Sequence, residues 1–189
     1  QTITLTDTQQ PTWTSALPGD ATLECGAAAP TPATLTASDG CQGELTVEVA
    51  DSFEAGSCGS TGVYTFTWTA TDGCTAPITH TQTITVTDNT PPSISCPADV
   101  LDLECGDSVD PANTGVATAT DLCGSADVDY VDSEDTDPSD CVETFVRTWT
   151  ATDACGNDVE CTQTITLTDT QQPTWTSALP GDATLECGS

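Results

Sequence analysis

Polar and apolar residues alternate with a period of two along several short stretches of the chain. Residues 1–6 read QTITLT and residues 64–71 read YTFTWTAT. Because successive side chains of a strand point to opposite faces, this pattern predicts half-buried antiparallel strands. Clusters of Pro, Gly, Asp and Ser separate the stretches, and no segment has a helical period. The pattern therefore predicts an all-β fold.

An internal repeat gives the length of the folding unit. The segment 1–26 returns unchanged at 163–188, and the related string QTITVTDNTPP at 82–92 begins halfway between them. The unit is therefore about 81 residues long, and two sequence types alternate in what looks like a window cut from a longer array. We expect four segments: 1–8 as the last strand of a preceding repeat, 9–88 as repeat type one, 89–169 as repeat type two, and 170–189 as the first strand of a following repeat.

Each unit has the signals of a β-sandwich. About seven short strands in some 81 residues predict tandem immunoglobulin-like sandwiches. The alternation places five aromatic residues in the core, namely Tyr64, Phe66 and Trp68 in the first unit and Phe145 and Trp149 in the second. By the same parity Arg147 replaces Phe66 on the inward face. We expect Arg147 to be a rim residue paired with a neighbouring carboxylate.

The charge balance limits the classes of partner. The chain has 30 acidic residues against a single Lys or Arg, so its formal net charge is −29 at pH 7. With a single basic side chain it cannot neutralise a phosphate backbone, which excludes nucleic-acid binding. No apolar run approaches a membrane span, so we expect no membrane insertion in this window. Leu, Ile, Val and Phe number only 31, a composition typical of disorder, but the alternation and the cysteines outweigh it.

Eleven cysteines predict a disulfide-stapled fold and an oxidising, extracellular compartment. Aligning the units gives four equivalent positions: Cys25 with Cys105, Cys41 with Cys123, Cys58 with Cys141, and Cys74 with Cys155. Cys96 and Cys161 occur only in the second unit, where Ser15 and His80 stand in the first. Two cysteines that are absent together are most simply each other's partners, so we expect a Cys96–Cys161 bridge. The lone His and the lack of any C-x-x-C spacing argue against zinc.

An immunoglobulin-like strand order groups the other cysteines by the end of the sandwich. Cys41 and Cys74 fall in loops at one end, and Cys25 and Cys58 fall in turns at the other. Four cysteines allow three connectivities, and we favour the one that joins cysteines at the same end of a unit. The resulting pairs are Cys25–Cys58, Cys41–Cys74, Cys105–Cys141 and Cys123–Cys155. Cys187 repeats Cys25, and we expect its partner beyond residue 189.

Two motifs resemble a known family. The motifs are TWTATDGC at 67–74 and TWTATDAC at 148–155. Each is followed by QTITVTD or QTITLTD and then by a linker that contains Pro. In this they resemble the HYR-like, immunoglobulin-like repeats of giant bacterial cell-surface adhesins, especially the gliding-motility type. The resemblance covers nearly the whole chain. It implies a secreted filament or adhesin stalk at the bacterial surface, whose partners are neighbouring repeats of the same chain and other filaments.

The abundant carboxylates make a cation the natural counterpart, because they repel one another in a folded chain. Calcium binds about six to eight oxygen ligands, and the junction between units brings a linker and several loops together. We expect calcium as a cofactor there, with candidate ligands Asp88, Asn89, Asp121, Asp153, Asn157 and Asp158 for the second unit, and Asp7, Asp39 and Asp72 for the first. Two alternatives stay open. Calcium could bind the run of Asp132, Glu134, Asp135, Asp137 and Asp140, or the acidic residues could serve only as turn formers and solubilising charge.

Three classes of function compete. The exact recurrence, the cysteines and the short linkers favour a structural repeat that extends and stiffens a fibre. The alternative is a binding surface for ice or a crystalline polymer, formed by a ladder of Thr2, Thr4, Thr6 and Thr8, although Thr is also an ordinary outward residue of strands. An enzyme is not expected, since the chain has no G-x-S-x-G elbow, no phosphate loop and no Lys.

Overall fold

Two β-sandwich units follow each other along the chain in the computed structural model, which describes residues 1–133 and 142–174. The all-β fold expected from the alternation is confirmed. The first unit has the expected seven strands: β1 Thr12–Trp13, β2 Ala21–Glu24, β3 Ala37–Asp39, β4 Gly43–Leu45, β5 Val47–Ala55, β6 Gly62–Ala70 and β7 Ile78–Thr87. The described part of the second unit contains β8 Ser93–Ser95, β9 Val100–Glu104, a short helix α1 Pro111–Thr114, β10 Thr118–Thr120, β11 Ala126–Asp132, β12 Val142–Asp153 and β13 Asp158–Thr168.

The two units share one topology. In the first, the four-stranded sheet β2-β7-β6-β5 faces the three-stranded sheet β1-β3-β4. In the second, the sheet β11-β12-β13-β9 faces the pair β10-β8. The first long strand of each unit runs parallel to the last, β2 beside β7 and β9 beside β13, whereas the other pairs are antiparallel. The chain therefore enters each unit at one end and leaves it at the other.

The predicted aromatic residues form the cores. Phe66 and Trp68 are 2% and 1% exposed, and Trp149 is 2% exposed. Tyr64 is only partly buried and packs against the core of the first unit. Apolar side chains on alternate positions of β6 and β12 thus face inward, as the period of two requires.

Arg147 lies deeper than the sequence indicates. It is 1% exposed, and its guanidinium makes a two-pronged pair with Asp132, with Nε to Oδ1 at 2.7 Å and Nη2 to Oδ2 at 2.8 Å. Nη1 donates to Thr114 Oγ1 and Nη2 also donates to the carbonyl oxygen of Val109, both at 2.9 Å. The expected carboxylate partner is present, but the expected rim position is wrong because the segment around α1 covers the guanidinium.

One sequence adopts two structures in this chain. QTITLT at 163–168 belongs to β13, where Ile165 and Leu167 are 0% and 5% exposed. The same letters at 1–6 form no strand, and there Ile3 and Leu5 are 77% and 95% exposed. A last strand needs the sheet of its own unit as a partner, and residues 1–6 have none among the described residues. Their assignment to a preceding repeat, like the other segment boundaries, stays a prediction.

Candidate functional site: the joint between the units

Two disulfides connect the end of the first unit to the start of the second. Cys25 follows β2 and bonds to Cys123 in the β10–β11 loop, with 5.6 Å between the Cα atoms. Cys58, in the β5–β6 loop, bonds to Cys155 in the β12–β13 loop, with 5.1 Å between the Cα atoms. Together with the linker, these bonds give the joint three covalent connections.

The expected pairs Cys25–Cys58 and Cys123–Cys155 are wrong. The sequence groups these cysteines at the correct ends, but the two ends face each other across the joint, so each cysteine meets one from the other unit. The expected Cys96–Cys161 bridge is present within the second unit, with 6.0 Å between the Cα atoms.

The other cysteines have separate outcomes. Cys41 and Cys74 are exposed thiols, so the expected bond between them is not formed. Both lie at the far end of the first unit, where the side-chain amide of Gln42 contacts the Cys74 sulfur at 3.9 Å. The pair Cys105–Cys141 is not settled, because Cys141 lies outside the described residues, as does Cys187.

Glycines let the two units approach closely. Gly59 has φ +53°, and a Cβ atom there would lie 2.6 Å from the carbonyl oxygen of Cys123. The next backbone N–H, that of Ser60, donates to the same carbonyl at 2.8 Å. A Cβ atom on Gly26, which has φ +80°, would overlap the side chain of Leu122. At Gly59 the atoms that a Cβ would meet belong to the backbone, so only glycine fits this position without moving the units apart.

Glu24 holds the linker to the first unit. Its carboxylate accepts from the backbone N–H of Asn89 at 2.6 Å and from Thr90 Oγ1 at 2.9 Å. The hydrogen bond from the Asn89 backbone is the main cause of a lowered pKa for Glu24. The second unit repeats the contact, since Glu104 accepts from the backbone N–H of Thr170 at 3.2 Å. Sequence reasoning missed this role, although the recurring LECG at 23–26, 103–106 and 185–188 contains the signal.

Some of the predicted calcium ligands converge at the joint. One carboxylate oxygen each from Asp88 and Asp153 lies within 4.8 Å of the other. The Asn157 side-chain amide donates to the Asp88 carbonyl oxygen at 3.2 Å and to Asp153 Oδ2 at 2.8 Å. Asp121 is close enough to act on Asp88 electrostatically. Asn89 is instead bound to Glu24, and Asp158 opens β13 as an exposed residue.

Electrostatics distinguishes the two central carboxyls. Burial raises the pKa of Asp88, and the charges of Asp153, Asp121 and Glu24 add to the rise. Burial would also raise the pKa of Asp153, but hydrogen bonds from Asn157 and from backbone N–H groups outweigh it, so that pKa is lowered. Of these two carboxylates, Asp88 is therefore the one whose negative charge is less well accommodated.

A second carboxylate pair lies at the far end of the first unit. Asp7, Asp39 and the Cys41 sulfur have atoms within 4.8 Å of one another. One oxygen of Asp7 and one of Asp39 are buried and have no hydrogen-bond partner among the described residues. Asp72, predicted for the same site, is not part of it. Its oxygens accept from the Thr75 and Cys74 backbone N–H groups, each at 2.8 Å, and from Thr75 Oγ1.

These donor sets suit a hard cation. At the far end, the buried oxygens of Asp7 and Asp39 without donors cost free energy, and a cation would satisfy them. The ligands available are oxygens, which calcium prefers, because the cysteines of the joint are in disulfides. Of the alternative acidic run, Asp132 is used by Arg147, and Glu134, Asp135, Asp137 and Asp140 lie outside the described residues.

Comparisons with known proteins give only distant similarities to solved structures. A search of curated proteins gives no match. Among solved structures, Drosophila N-cadherin EC1-4 is similar, with 13% identity, a TM-score of 0.38, and coverage of 86% of this chain and 50% of that one. Mouse cadherin-23 EC22-24 has 12% identity, a TM-score of 0.34, and coverage of 85% and 66%. Human mucin-like protocadherin EC1-2 has 10% identity, a TM-score of 0.34, and coverage of 86% and 98%. The chain thus spans half of the N-cadherin chain that it matches.

The family comparison concerns the first unit. Within the described ranges, no helix is long and apolar enough to cross a membrane. The disulfides are those of an extracellular domain. A family model described as "HYR-like domain with 4 cysteines" matches residues 13–86, a range that holds Cys25, Cys41, Cys58 and Cys74. The first unit therefore matches the model of the HYR-like domain family with four cysteines, which is the family that its motifs resemble.

Proposed function

We propose that this chain is a structural segment of a bacterial surface filament or adhesin stalk, which extends the fibre and holds its units in line. The observation that carries the proposal is the joint, where two disulfides and a linker connect consecutive units. A single peptide linker permits bending and rotation, whereas three separate connections oppose both. The proposal gives the chain no catalytic residues.

The disulfides also limit how far a load can stretch the segment. A path that crosses at Cys25–Cys123 and at Cys96–Cys161 leaves at most about 80 residues between the two ends, or about 280 Å when extended. The reduced chain would reach about 650 Å at the same length per residue. Under load, the bridges would therefore keep more than half of the length of the fully extended chain from being pulled out.

Single-molecule pulling of the full chain, with and without a reducing agent, tests the mechanical proposal. We expect the final extension to increase about 2.3-fold after reduction, by the ratio of those two lengths. Equal final extensions would show that the bridges carry no load, and the stalk function would fail.

We further propose that calcium binds at the joint through Asp88, Asp121 and Asp153, and at the far end through Asp7 and Asp39. The raised pKa of Asp88 supports the first site. A carboxyl whose pKa is higher in the folded state stabilises the fold at low pH, and that stabilisation is lost as the pH rises through the folded value. At neutral pH the Asp88 charge is therefore unfavourable, and a bound cation would reverse this.

Thermal unfolding with intact disulfides, in millimolar calcium and then in EDTA, tests the ion. We expect calcium to raise the melting temperature of the natural chain. Asp88→Asn should melt higher than the natural chain in EDTA and gain less from calcium. The control Asp51→Asn removes an exposed charge on β5 and should gain as much as the natural chain. Equal calcium gains in all three chains, or none in any, would contradict calcium at the joint.

The alternative Thr-ladder function finds less support. Residues 1–8, which would supply its Thr side chains, contain no strand. Two facing rows do occur on β6 and β7, where Thr65, Thr67 and Thr69 pair with Thr83, Thr81 and Thr79. The next strand, β5, presents Ser52, Ala50 and Glu48 beside them, so the ladder is only two strands wide. A flat crystalline ligand needs a broader regular face.

A further inference from the structure

We propose that Asp7, Asp39 and Cys41, at the far end of the first unit, form a site for a divalent cation of the zinc class, with the Cys41 thiolate as its sulfur ligand. The inference deepens the cation binding proposed above for this end and rests on it. It adds a third ligand to the two carboxylates and thereby changes which metal binds best. Calcium can occupy the carboxylates alone, but a cation that also bonds to sulfur would displace it.

Three ligand atoms converge at this end of the unit. One oxygen of Asp7, one oxygen of Asp39 and the sulfur of Cys41 all lie within 4.8 Å of one another. Asp7 precedes β1, Asp39 is the last residue of β3, and Cys41 lies in the loop between β3 and β4. The ligands thus come from two stretches that are far apart in the sequence. Spacing rules for zinc detect ligands from neighbouring positions, which is why the sequence argued against this metal.

Both carboxylates are held with one oxygen free to bind. Asp7 Oδ1 accepts from the backbone N–H of Gln9 at 3.1 Å, and Asp39 Oδ1 accepts from the backbone N–H groups of Cys41 at 2.7 Å and Gln42 at 3.3 Å. The second oxygen of each carboxylate is buried and has no hydrogen-bond partner within the described ranges. Asp39 as a whole is only 6% exposed. A buried oxygen in this state costs free energy, and a bound metal ion would remove that cost.

The joint shows how the state of the cysteine changes the ion. Asp88 and Cys123 stand at the joint where Asp7 and Cys41 stand at the far end, and they too have ligand atoms within 4.8 Å of each other. The Cys123 sulfur, however, is bonded to Cys25 and cannot become a thiolate, whereas Cys41 is an exposed thiol. Thiolate sulfur favours zinc and similar metals, and sites of oxygen ligands alone suit calcium. One repeated arrangement would thus bind different metals at its two locations.

A divalent cation would also balance the charges around the Cys41 sulfur. The charge of Asp7 is the main cause of the raised pKa of this thiol, and burial and the charge of Asp39 add to the rise. The two carboxylates therefore oppose a third negative charge unless a cation accompanies it. On binding, the sulfur–metal bond forms, the S–H bond breaks, and the proton passes to the solvent. Three protein ligands leave a fourth position for water, as in open zinc sites.

The test measures whether zinc protects Cys41 from alkylation. The full chain, with its disulfides intact, is stripped of metals with EDTA and transferred into millimolar calcium. N-ethylmaleimide is then added with and without zinc, and the labelled peptides are mapped by mass spectrometry after acid pepsin digestion. Cys74 is the internal control, because it is the other exposed thiol at this end and does not belong to the cluster of ligand atoms.

We expect zinc to slow the labelling of Cys41 and to leave that of Cys74 unchanged. Zinc at ten times its dissociation constant leaves about one site in ten free, so the slowing should then be about 10-fold. Millimolar calcium without zinc should give no such protection. Cadmium in place of zinc should give a sulfur-to-metal absorption band that Cys41→Ser loses and Cys74→Ser keeps.

Asp39→Asn tests the carboxylate ligands. Its side-chain oxygen can still accept from the backbone N–H groups of Cys41 and Gln42, so the loop should keep its shape and the melting temperature should stay close to that of the natural chain. The variant loses the charged ligand oxygen. Protection of Cys41 should therefore require about 10- to 100-fold more zinc, at least the loss that follows removal of a residue that only supports a metal ligand.

Labelling of Cys41 that zinc does not slow would overturn the inference. Equal slowing at Cys41 and Cys74, or protection that Asp39→Asn leaves unchanged, would indicate an adventitious ion only and would overturn it as well. The joint separates this outcome from the earlier proposals. Zinc protection without any gain in melting temperature from calcium would reject calcium and keep this site. A calcium gain that Asp88→Asn reduces, without zinc protection, would do the reverse.

Discussion

The burial of Arg147 leads to a prediction about proteolysis. This residue is the only Lys or Arg in the chain, so it is the only trypsin site, and it is 1% exposed. Trypsin can reach it only when the second unit opens. Cleavage should therefore report the population of the open form. The natural chain is expected to resist trypsin for as long as this unit stays folded.

Asp132→Asn tests whether the ion pair with Asp132 keeps Arg147 inaccessible to trypsin. Removing one partner of a buried ion pair costs about 3–5 kcal/mol. Asp132 is 33% exposed, and Thr114 and Val109 still bind the guanidinium, so we expect a smaller loss of about 2–3 kcal/mol. At about 1.4 kcal/mol per tenfold change, trypsin should cut the variant about 30- to 140-fold faster.

The assay is gel or mass analysis of the cleavage rate at several trypsin concentrations, with disulfides intact. Asp129→Asn is the matched control, because it removes the same charge from an exposed position on the same strand β11. Its rate should stay within about twofold of the natural chain, as expected for an exposed surface substitution. If Asp132→Asn is cut no faster than Asp129→Asn, the ion pair does not stabilise this unit and the reasoning is wrong.

Two other predictions concern the two ends of the first unit. Gly59→Ala should lower the melting temperature more than Gly43→Ala, since both have positive φ but only the first would bring a Cβ atom to 2.6 Å from the Cys123 carbonyl. Equal losses would mean that close approach at the joint is unimportant. The charge of Asp7 is the main cause of a raised pKa at the Cys41 thiol, so Asp7→Asn should speed alkylation of that thiol near pH 8. An unchanged alkylation rate would show that the charge of Asp7 does not affect the Cys41 thiol.

The sequence predicts the fold well because its evidence is local. Alternation at 64–71 places Phe66 and Trp68 in the core, and each is almost fully buried. The same pattern fails at 1–6, where Ile3 and Leu5 lie outside any strand. Alternation predicts which side chains a strand would bury if it joined a sheet. It does not show whether a neighbouring strand is present to pair with it.

The site is less predictable because it depends on the relation between units. Strand order places Cys25 and Cys58 at one end of the first unit, and the structure confirms this. Strand order does not show that each of them bonds to a cysteine of the facing unit instead of to the other. The role of Glu24 depends on the path of the linker in the same way. Arg147 was expected at the rim, because nothing local indicates that the segment around α1 covers it.

The order of the bridges along the chain has a consequence for damage outside the cell. The loops closed by Cys25–Cys123, Cys58–Cys155 and Cys96–Cys161 overlap and together span residues 25–161. Any one peptide bond within that span can be hydrolysed while the two resulting pieces stay covalently attached. Two cuts within the span still leave its ends joined through the bridges, so a protease must cut at least three times, at suitable places, before the ends separate. Such redundancy would suit the proposed fibre, which would be exposed to extracellular enzymes and lie beyond the reach of cellular repair.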